Sequence, residues 1–329
     1  MRTPKDLLAA LRHGIARRRG ARGHRRFTRA QDAPGTLPGM NTAIAAPGAL
    51  DEIRAALNEA LAPLQDGTVL LGLDVDGTLV DHDGHMSEPV HAALTAAARE
   101  HHVVIATGRS IGATLPVVRT AGVERGFAVC SNGAVTLALD PEAEDGYRVL
   151  DVRTFRPQQA LRALREVAPG AHYAVEMADG RFRATPDFQD ASFGVEAEET
   201  DLDELLDLEA VRVVVHVPDL TPQEFSRIIA DAGVHGVEYA IGWTAWLDMA
   251  APGVSKASAL ELVRERLEIP SERTVAVGDG WNDTEMLAWA GVGVAMGQAP
   301  QGVADIADLR TADVAHDGVA LVLRGVTPA

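Results

Sequence analysis

The chain has 329 residues, of which 47% are hydrophobic, and a formal net charge of −17 at pH 7. This length allows about two domains with a sizeable core, and the acidic balance disfavours binding of the body to the phosphates of nucleic acids. No run reaches the ~18 uncharged apolar residues of a membrane helix. The single cysteine, Cys130, cannot form an internal disulfide and fits a reducing compartment such as the cytoplasm. The composition therefore favours a small-molecule ligand.

Residues 1–45 form a basic N-terminal extension. The first forty residues contain ten Lys or Arg against two Asp, together with Arg-Gly and Pro-Gly pairs. Such a composition cannot bury a core, so we predict a disordered arm, and it lacks the apolar segment of a secretory signal. An anion-binding arm, a targeting peptide and a start site assigned too early are three interpretations. We favour the third, with Met40 as the first residue.

Three apolar runs in the first half of the chain are each followed by polar residues. The runs cover residues 69–73, 102–106 and 127–130, and each has the length of a buried parallel strand. They end, in order, in Asp74-Val75-Asp76-Gly77-Thr78, Thr107-Gly108-Arg109 and Ser131-Asn132-Gly133-Ala134. A helical pattern at 50–64 precedes the first strand, and two more helices separate the others. Ser87 is the predicted N-cap of the first of these, and the second is predicted to begin near Ser110.

This alternation of strands and helices predicts an α/β fold with a doubly wound, Rossmann-like parallel sheet. Such a sheet binds ligands at the carboxyl ends of its strands, and all three polar motifs fall there. From residue 136 the pattern changes to strand-like runs, an Asp179-Gly180 hairpin and two amphipathic helices. The strands are predicted at 148–152, 173–177 and 211–217, and the helices at 157–167 and 221–232. We therefore predict an inserted α+β domain over 136–246 and a core of 46–135 and 247–329.

The alternating pattern resumes near residue 253. Gly253-Val254-Ser255-Lys256 leads into a predicted helix that continues to residue 267. A strand at 274–277 then ends in Gly278-Asp279-Gly280-Trp281-Asn282-Asp283, and a helix at 284–289 and a strand at 292–296 follow. Lys256 and the last polar motif therefore belong to the same predicted sheet as Asp74 and Thr107.

The polar residues of these motifs have complementary chemistry. Mg²⁺ is commonly held by one or two carboxylates with water and substrate phosphate, and Asp74 and Asp279 can supply those carboxylates. Lys256, the hydroxyl of Thr107 and nearby N–H groups can neutralise a phosphoryl group. A carboxylate can also be a nucleophile that forms an aspartyl-phosphate, and Asp76, two residues on, can protonate the leaving oxygen.

Together the motifs resemble those of the haloacid dehalogenase superfamily. The motifs that begin at Asp74, Thr107 and Gly278, together with Lys256, occur in the order of that superfamily and with ordinary spacings. The Ser131-Asn132-Gly133-Ala134 turn, the large insert after it and the run that ends in Lys256 are similar to its Cof-type phosphatases. The resemblance extends from about residue 68 to the C-terminus.

The resemblance implies a role for each matching residue. Asp74 would be the nucleophile and a metal ligand, and Asp76 the general acid and base, which also offers its backbone carbonyl to the metal. Asp279 would complete the metal site, with Asp283 as a further ligand or as the partner of Lys256. Lys256 would pair with the nucleophile and the phosphate. Phosphate or substrate contacts would come from Thr107, Gly108, Arg109, Asn132 and Asn282.

The resemblance thus implies a Mg²⁺-dependent phosphatase that hydrolyses a sugar phosphate or similar small metabolite through an aspartyl-phosphate intermediate. The insert would be a cap that closes over the site and selects the substrate. A phosphomutase and a non-catalytic module that binds through the basic arm are the alternatives. Taken singly, each motif residue has an ordinary role as a helix cap or a turn residue. Outside the motifs, we predict Arg181 and Arg183 on a solvated strand face and Trp243 and Trp246 in the core.

Overall fold

The computed structural model describes residues 48–188, 197–218, 220–221, 224–225, 227–228, 238–241 and 246–327. The predicted arm at 1–45, Trp243 and most of the predicted helix at 221–232 lie outside these residues. The α-helices are α1 (Ala49–Leu61), α2 (Glu88–Glu100), α3 (Ile111–Thr120), α4 (Gln158–Val167), α5 (Leu202–Leu205), α6 (Lys256–Arg266), α7 (Thr284–Trp289), α8 (Gln301–Ala304) and α9 (Gly318–Val326).

The strands form two sheets. They are β1 (Leu70–Leu73), β2 (His102–Ala106), β3 (Gly126–Cys130), β4 (Val135–Leu139), β5 (Tyr147–Val152), β6 (His172–Glu176), β7 (Phe182–Ala184), β8 (Glu198–Glu199), β9 (Arg212–His216), β10 (Glu238–Ile241), β11 (Trp246–Ala250), β12 (Thr274–Gly278), β13 (Val292–Ala295) and β14 (Leu309–Arg310). Short 3₁₀ helices cover Ala62–Leu64, Ser131–Gly133, Ser271–Arg273, Trp281–Asp283 and Val314–His316.

The large sheet has the strand order β14-β13-β12-β1-β2-β3-β4-β5. The strands from β14 to β3 are parallel, and β4 and β5 are antiparallel additions at one edge. The chain proceeds outward from β1 to β3 and later returns to place β12 on the other side of β1. This reversal is the topological switch point where doubly wound sheets bind ligands. The predicted α/β class with a doubly wound parallel sheet is confirmed.

Local sequence explains where the main elements begin. All four residues of β1 are buried, as expected for a central strand covered on both faces. The hydroxyl oxygens of Ser87 and Ser110 accept hydrogen bonds from the N–H groups of Val90 and Ala113, and so cap α2 and α3. The cap at Ser87 and the helix start near Ser110 are as predicted. Ser255 caps α6 in the same way through the N–H of Ser258.

The small sheet has the order β10-β11-β9-β6-β7-β8 and is antiparallel except for the β7–β8 pair. Its β6–β7 hairpin turns at Gly180, which has a positive φ of 78°, as the Asp179-Gly180 signal predicts. Apolar side chains of β6 and β9, such as Val175 and Val213, are fully buried. Within the described part of the chain, no helix has the length and apolar character needed to cross a membrane.

The predicted limits of the insert differ from the structure at both ends. β4 and β5 belong to the large sheet. Residues 136–152 are therefore part of the core, whereas the sequence predicted them in the inserted domain. At the other end β11 pairs with β9, so residues 247–250 belong to the small sheet and not to the core. The reason is physical: alternation along a strand reports its buried face, but it does not report which sheet the strand extends.

Candidate active site

The residues that follow β1, β2 and β12 meet at the switch point. Asp74 follows β1, and its backbone N–H donates to the carbonyl of Val277 in β12 at 3.0 Å. Thr107 follows β2, and its N–H donates to the carbonyl of Val129 in β3 at 2.9 Å. Asp279 follows β12. Because β1 lies between β2 and β12, these three predicted site residues reach the same edge of the sheet.

Lys256 joins this edge from the first turn of α6. Its Nζ donates to Oδ1 of Asp74 at 2.6 Å and to Oδ1 of Asp283 at 2.7 Å. The three side chains are almost completely buried, with Lys256 at 1% exposure. The structure therefore brings the predicted nucleophile and the predicted lysine into direct contact, in a site shielded from water.

Burial and charge act in opposite directions on this group. Burial raises the pKa of Asp74 well above its ordinary value, and repulsion from Asp283 adds to the rise, whereas Lys256 opposes it. Burial alone would lower the pKa of Lys256, but the adjacent Asp283 and Asp74 carboxylates raise it overall. Lys256 is therefore the cation that favours an ionised Asp74.

Asp279 faces the same centre from the end of β12. Its Oδ2 accepts a hydrogen bond from Nε2 of Gln298 at 3.2 Å, and the same amide group donates to the carbonyl of Gly77. Burial, followed by repulsion from Asp283, raises the pKa of Asp279 to about 6. Gly77 has a positive φ of 76°, and a Cβ there would lie 2.4 Å from Oδ2 of Asp279. Only glycine permits this approach of the two loops.

The carboxylate group fits a hard divalent cation. Oxygens of Asp74, Asp279 and Asp283 lie within 4.8 Å of one another. Such an all-oxygen set suits Mg²⁺, and a cation would relieve the repulsion that raises the pKa of Asp279. Asp283, however, already accepts several hydrogen bonds. Its Oδ1 accepts one from Nζ of Lys256, and its Oδ2 accepts one from each of the backbone N–H groups of Asp279 and Gly280, at 2.9 Å in both cases. These contacts suit the positioning of Lys256 and the loop, and its predicted role as a metal ligand stays a prediction.

Asp76 lies at the exposed side of the centre. Its carboxylate oxygens accept hydrogen bonds from Nε and Nη2 of Arg109, at 3.0 and 2.5 Å. The Asp76 side chain is 61% exposed and that of Arg109 is 23% exposed. Asp76 therefore has access to solvent and to an incoming ligand, as a general acid and base requires, and Arg109 holds it by a bidentate contact. The predicted role of Arg109 toward phosphate is not tested by this contact.

Three core loops, after β2, β3 and β12, hold the remaining predicted phosphate residues together. The carbonyl of Thr107 accepts the N–H of Asn132 at 3.0 Å. Asn132 has a positive φ of 55°, which asparagine tolerates, and its Oδ1 accepts Nδ2 of Asn282 at 3.0 Å. A Cβ on Gly108 would lie 3.0 Å from the same Oδ1 of Asn132. The four residues therefore form one connected rim beside Lys256.

The structure adds a cluster that the motifs did not indicate. Nη1 of Arg212, in β9, donates to the carbonyl of Gly108 at 2.6 Å, and its Nε donates to Glu176 of β6 at 3.0 Å. Glu176 also accepts the hydroxyl of Ser131 at 2.9 Å. This junction cluster (Ser131, Glu176 and Arg212) joins the small sheet to the loops after β2 and β3. A charged residue at one end of each of two mainly apolar strands, β6 and β9, was the available sequence signal.

Comparison with known proteins agrees with this geometry. The sequence profile of haloacid dehalogenase-like hydrolases matches residues 71–323. The chain belongs to this family. The putative phosphatase YkrA of Bacillus subtilis is 29% identical over 263 residues, which cover 78% of this chain and 96% of YkrA. A phosphoglycolate phosphatase of Archaeoglobus fulgidus is 27% identical over 254 residues, covering 77% and 95% of the two chains.

Solved structures share the fold of this haloacid dehalogenase-like hydrolase. A sugar phosphatase of HAD subclass IIB superposes with a TM-score of 0.66 at 23% identity, covering 78% of this chain and 98% of that chain. The phosphatase BT1666 from Bacteroides thetaiotaomicron gives 0.63 at 25% identity, covering 79% and 95%. The recognition of the superfamily from its motifs is confirmed, and the chain is a phosphoric monoester hydrolase.

Proposed function

We propose that this hydrolase cleaves a small phosphorylated metabolite through an aspartyl-phosphate intermediate on Asp74, with Mg²⁺ as its metal. The contact between Lys256 and Asp74, at 2.6 Å inside a buried site, is the observation that supports it most. A buried carboxylate without a cation tends to take up a proton and is then a poor nucleophile. Lys256 opposes that protonation and leaves Asp74 suited to attack phosphorus.

Each residue then has a role in two successive displacements. In the first, an Asp74 oxygen forms a bond to phosphorus while the ester oxygen departs with a proton from Asp76. In the second, Asp76 removes a proton from water, the water oxygen bonds to phosphorus, and the bond to Asp74 breaks. Lys256 and Thr107 hold the phosphoryl oxygens. Asn132, Asn282, Gly108 and Arg109 complete the rim that receives the substrate.

The carboxylates of Asp74 and Asp279 and the backbone carbonyl of Asp76 would hold Mg²⁺. When bound, the ion neutralises charge on the phosphoryl oxygens and orients the group for attack. Asp283 keeps Lys256 and the loop at 279–280 in position through the hydrogen bonds described above.

The proposed substrate is a sugar phosphate or a metabolite of similar size. Two relatives carry substrate names: YitU of Bacillus subtilis is a 5-amino-6-(5-phospho-D-ribitylamino)uracil phosphatase, and the Archaeoglobus fulgidus protein is a phosphoglycolate phosphatase. Both names describe small phosphate monoesters. The two substrates differ widely in their leaving groups. The relatives therefore support hydrolysis of a phosphate monoester, but they do not favour one substrate for this chain.

The test is release of inorganic phosphate from p-nitrophenyl phosphate and a panel of phosphorylated metabolites, with Mg²⁺ or with a chelator. We expect Asp74→Asn to lower kcat by roughly a thousandfold or more, because the amide cannot form the acyl-phosphate. Thermal unfolding serves as the control, because Asn has the size of Asp and Lys256 keeps Asp283 as a partner at 2.7 Å. Near wild-type turnover in Asp74→Asn would refute the mechanism. Formation of an isomeric phosphate ester without release of inorganic phosphate would indicate a mutase.

A further inference from the structure

A cavity of about 160 Å³ lies between the two sheets, beside the proposed catalytic centre. Its wall includes Lys256, Asn132 and Asn282 on the large-sheet side, and Arg212 and Asp248 from β9 and β11. Lys256 touches Asp74, so the cavity opens next to the nucleophile. The part of the substrate that departs with the ester oxygen therefore has this space to occupy.

The size of the cavity indicates which leaving groups its described wall can enclose. A protein cavity of about 150 Å³ accepts one benzene ring, and pockets for larger, drug-sized ligands begin at about 300 Å³. A space of about 160 Å³ thus suits one monosaccharide ring or a polyol of a few carbons. A ring system joined to a sugar would extend beyond the described wall.

The charge of the wall restricts the leaving group further. Arg212 is already paired on two sides, with Glu176 through Nε at 3.0 Å and with Asp248 through Nη1 at 3.6 Å. Glu176 is 1% exposed and lies behind the wall, whereas Asp248 is 27% exposed and forms part of it. Glu285 adds a third carboxylate at the rim. Lys256, the other cation of the wall, is paired with Asp74 and Asp283. Each of the two cations therefore has two carboxylate partners, and the described wall carries surplus negative charge.

We propose that this cavity selects uncharged, hydroxylated leaving groups and disfavours those with a second anionic group, such as a carboxylate or a further phosphate. Asp248 is the specificity-determining residue, because its carboxylate accepts hydrogen bonds from hydroxyls and repels a second anion. This inference rests on the proposed function and narrows its substrate class. It separates this chain from an enzyme built for phosphoglycolate, in which the leaving group carries a carboxylate.

A matched pair of substrates tests the inference. Glycerol 3-phosphate and 3-phosphoglycerate have the same carbon skeleton, with a hydroxymethyl group in one and a carboxylate in the other. We expect kcat/KM to favour glycerol 3-phosphate by roughly tenfold or more, given the interaction of charges a few ångströms apart near a protein surface. Asp248→Asn should reduce that ratio by a similar factor, and Asp248→Glu should restore it. The ratio is the readout because a purely structural defect would lower both rates together.

Asp151→Asn is the matched control. Asp151 is 29% exposed and paired with Arg153 at 2.6 Å, much as Asp248 is paired with Arg212, but it lies on β5, away from the wall. We expect this control to leave the ratio unchanged. Equal efficiency on the two substrates, a preference for 3-phosphoglycerate, or an unchanged ratio in Asp248→Asn would overturn the inference alone, provided that p-nitrophenyl phosphate is hydrolysed. No hydrolysis of any of these esters in the presence of Mg²⁺ would overturn the proposed function and the inference with it.

Discussion

The candidate catalytic centre and the junction cluster are both buried, yet they differ in charge balance. In the centre, Lys256 is the cation for three neighbouring carboxylates, those of Asp74, Asp279 and Asp283. Burial, followed by repulsion from Asp283, raises the pKa values of Asp74 and Asp279. Such an arrangement is costly in the protein alone and becomes favourable when a cation binds.

In the junction cluster, one guanidinium meets one buried carboxylate. Arg212 pairs with Glu176, and the hydroxyl of Ser131 and the carbonyl of Gly108 complete the contacts. Asp248, which is partly exposed, is a second and more distant partner of Arg212 at 3.6 Å. Within the buried cluster itself the two charges balance without a ligand, and their contacts join the two sheets. Surplus negative charge therefore marks the candidate catalytic centre, whereas a balanced ion pair marks the contact that supports it. Four predictions test the comparison, in order of decreasing effect.

The largest effect is expected for Lys256→Met, which keeps the length of the side chain and removes its charge. It leaves Asp74 and Asp283 buried without their cation, so the free energy of unfolding at pH 7 should fall by about 3–5 kcal/mol. Activity should fall by roughly a hundredfold or more. Arg266→Met, on the exposed end of the same helix, is the control and should change stability by less than about 0.5 kcal/mol. Urea unfolding measures the stability and phosphate release measures the activity. Similar losses of stability and activity in Lys256→Met and Arg266→Met would contradict the prediction.

The next effect is expected where the two regions touch. Gly133 has a positive φ of 103°, and a Cβ there would lie 2.2 Å from the carbonyl oxygen of Ser255, directly before Lys256. Gly133→Ala should therefore lower the free energy of unfolding by roughly 1 kcal/mol because of the backbone conformation, and by more because α6 must move. Activity should fall as well, since α6 carries Lys256. Gly84→Ala is the control, because Gly84 also has a positive φ, of 76°, but has nothing within 4 Å. Equal changes in the free energy of unfolding would argue against the close approach.

A smaller effect is expected in the junction cluster. Glu176→Gln keeps the shape and removes the charge, and Arg212 retains Asp248 as a partner at 3.6 Å. We expect a loss of about 1–3 kcal/mol in the free energy of unfolding. Glu198→Gln removes the same charge from an exposed pair with Arg183, 61% and 29% exposed, and should cost about 0.5 kcal/mol or less. If denaturant titrations gave the same value for both, the junction would have no special role in stability.

The smallest effect concerns pH. Because the pKa of Asp279 is raised to about 6 from an ordinary 3.8, the folded protein holds this proton more tightly than the unfolded chain does. Its contribution to stability is present below pH 3.8 and is lost as the pH rises through about 6. In chelator-treated protein, the Tm of Asp279→Asn minus that of wild type should therefore increase from pH 4 to pH 7.

Added Mg²⁺ provides the complementary measurement for Asp279. At pH 7 it should raise the Tm of the wild type, since a ligand that binds only the folded state stabilises it, and should have much less effect on Asp279→Asn. A difference in Tm that is flat with pH, together with an equal response to Mg²⁺, would place Asp279 outside the metal site.

Much of the fold could be predicted because its signals are local. The apolar runs before Asp74, Thr107 and Asp279 are short and uniform, as buried parallel strands require. Serine caps mark the helices that follow. The rule that parallel strands present ligand sites at their carboxyl ends then placed the polar motifs together before any contact was known. The limits of the insert were wrong, because a strand pattern does not identify its sheet.

By itself, the sequence determined which residues could perform the chemistry, since residue type and order are enough to identify the nucleophile, lysine and metal-ligand candidates. Only the tertiary structure decided how they are partnered. It turned both oxygens of Asp283 toward Lys256 and the loop at 279–280, paired Asp76 with Arg109, and brought Arg212 from β9 onto the carbonyl of Gly108. Gly108 and Arg212 are 104 positions apart, and no periodic pattern encodes such a contact. It results from the packing of two sheets whose buried charges must find partners.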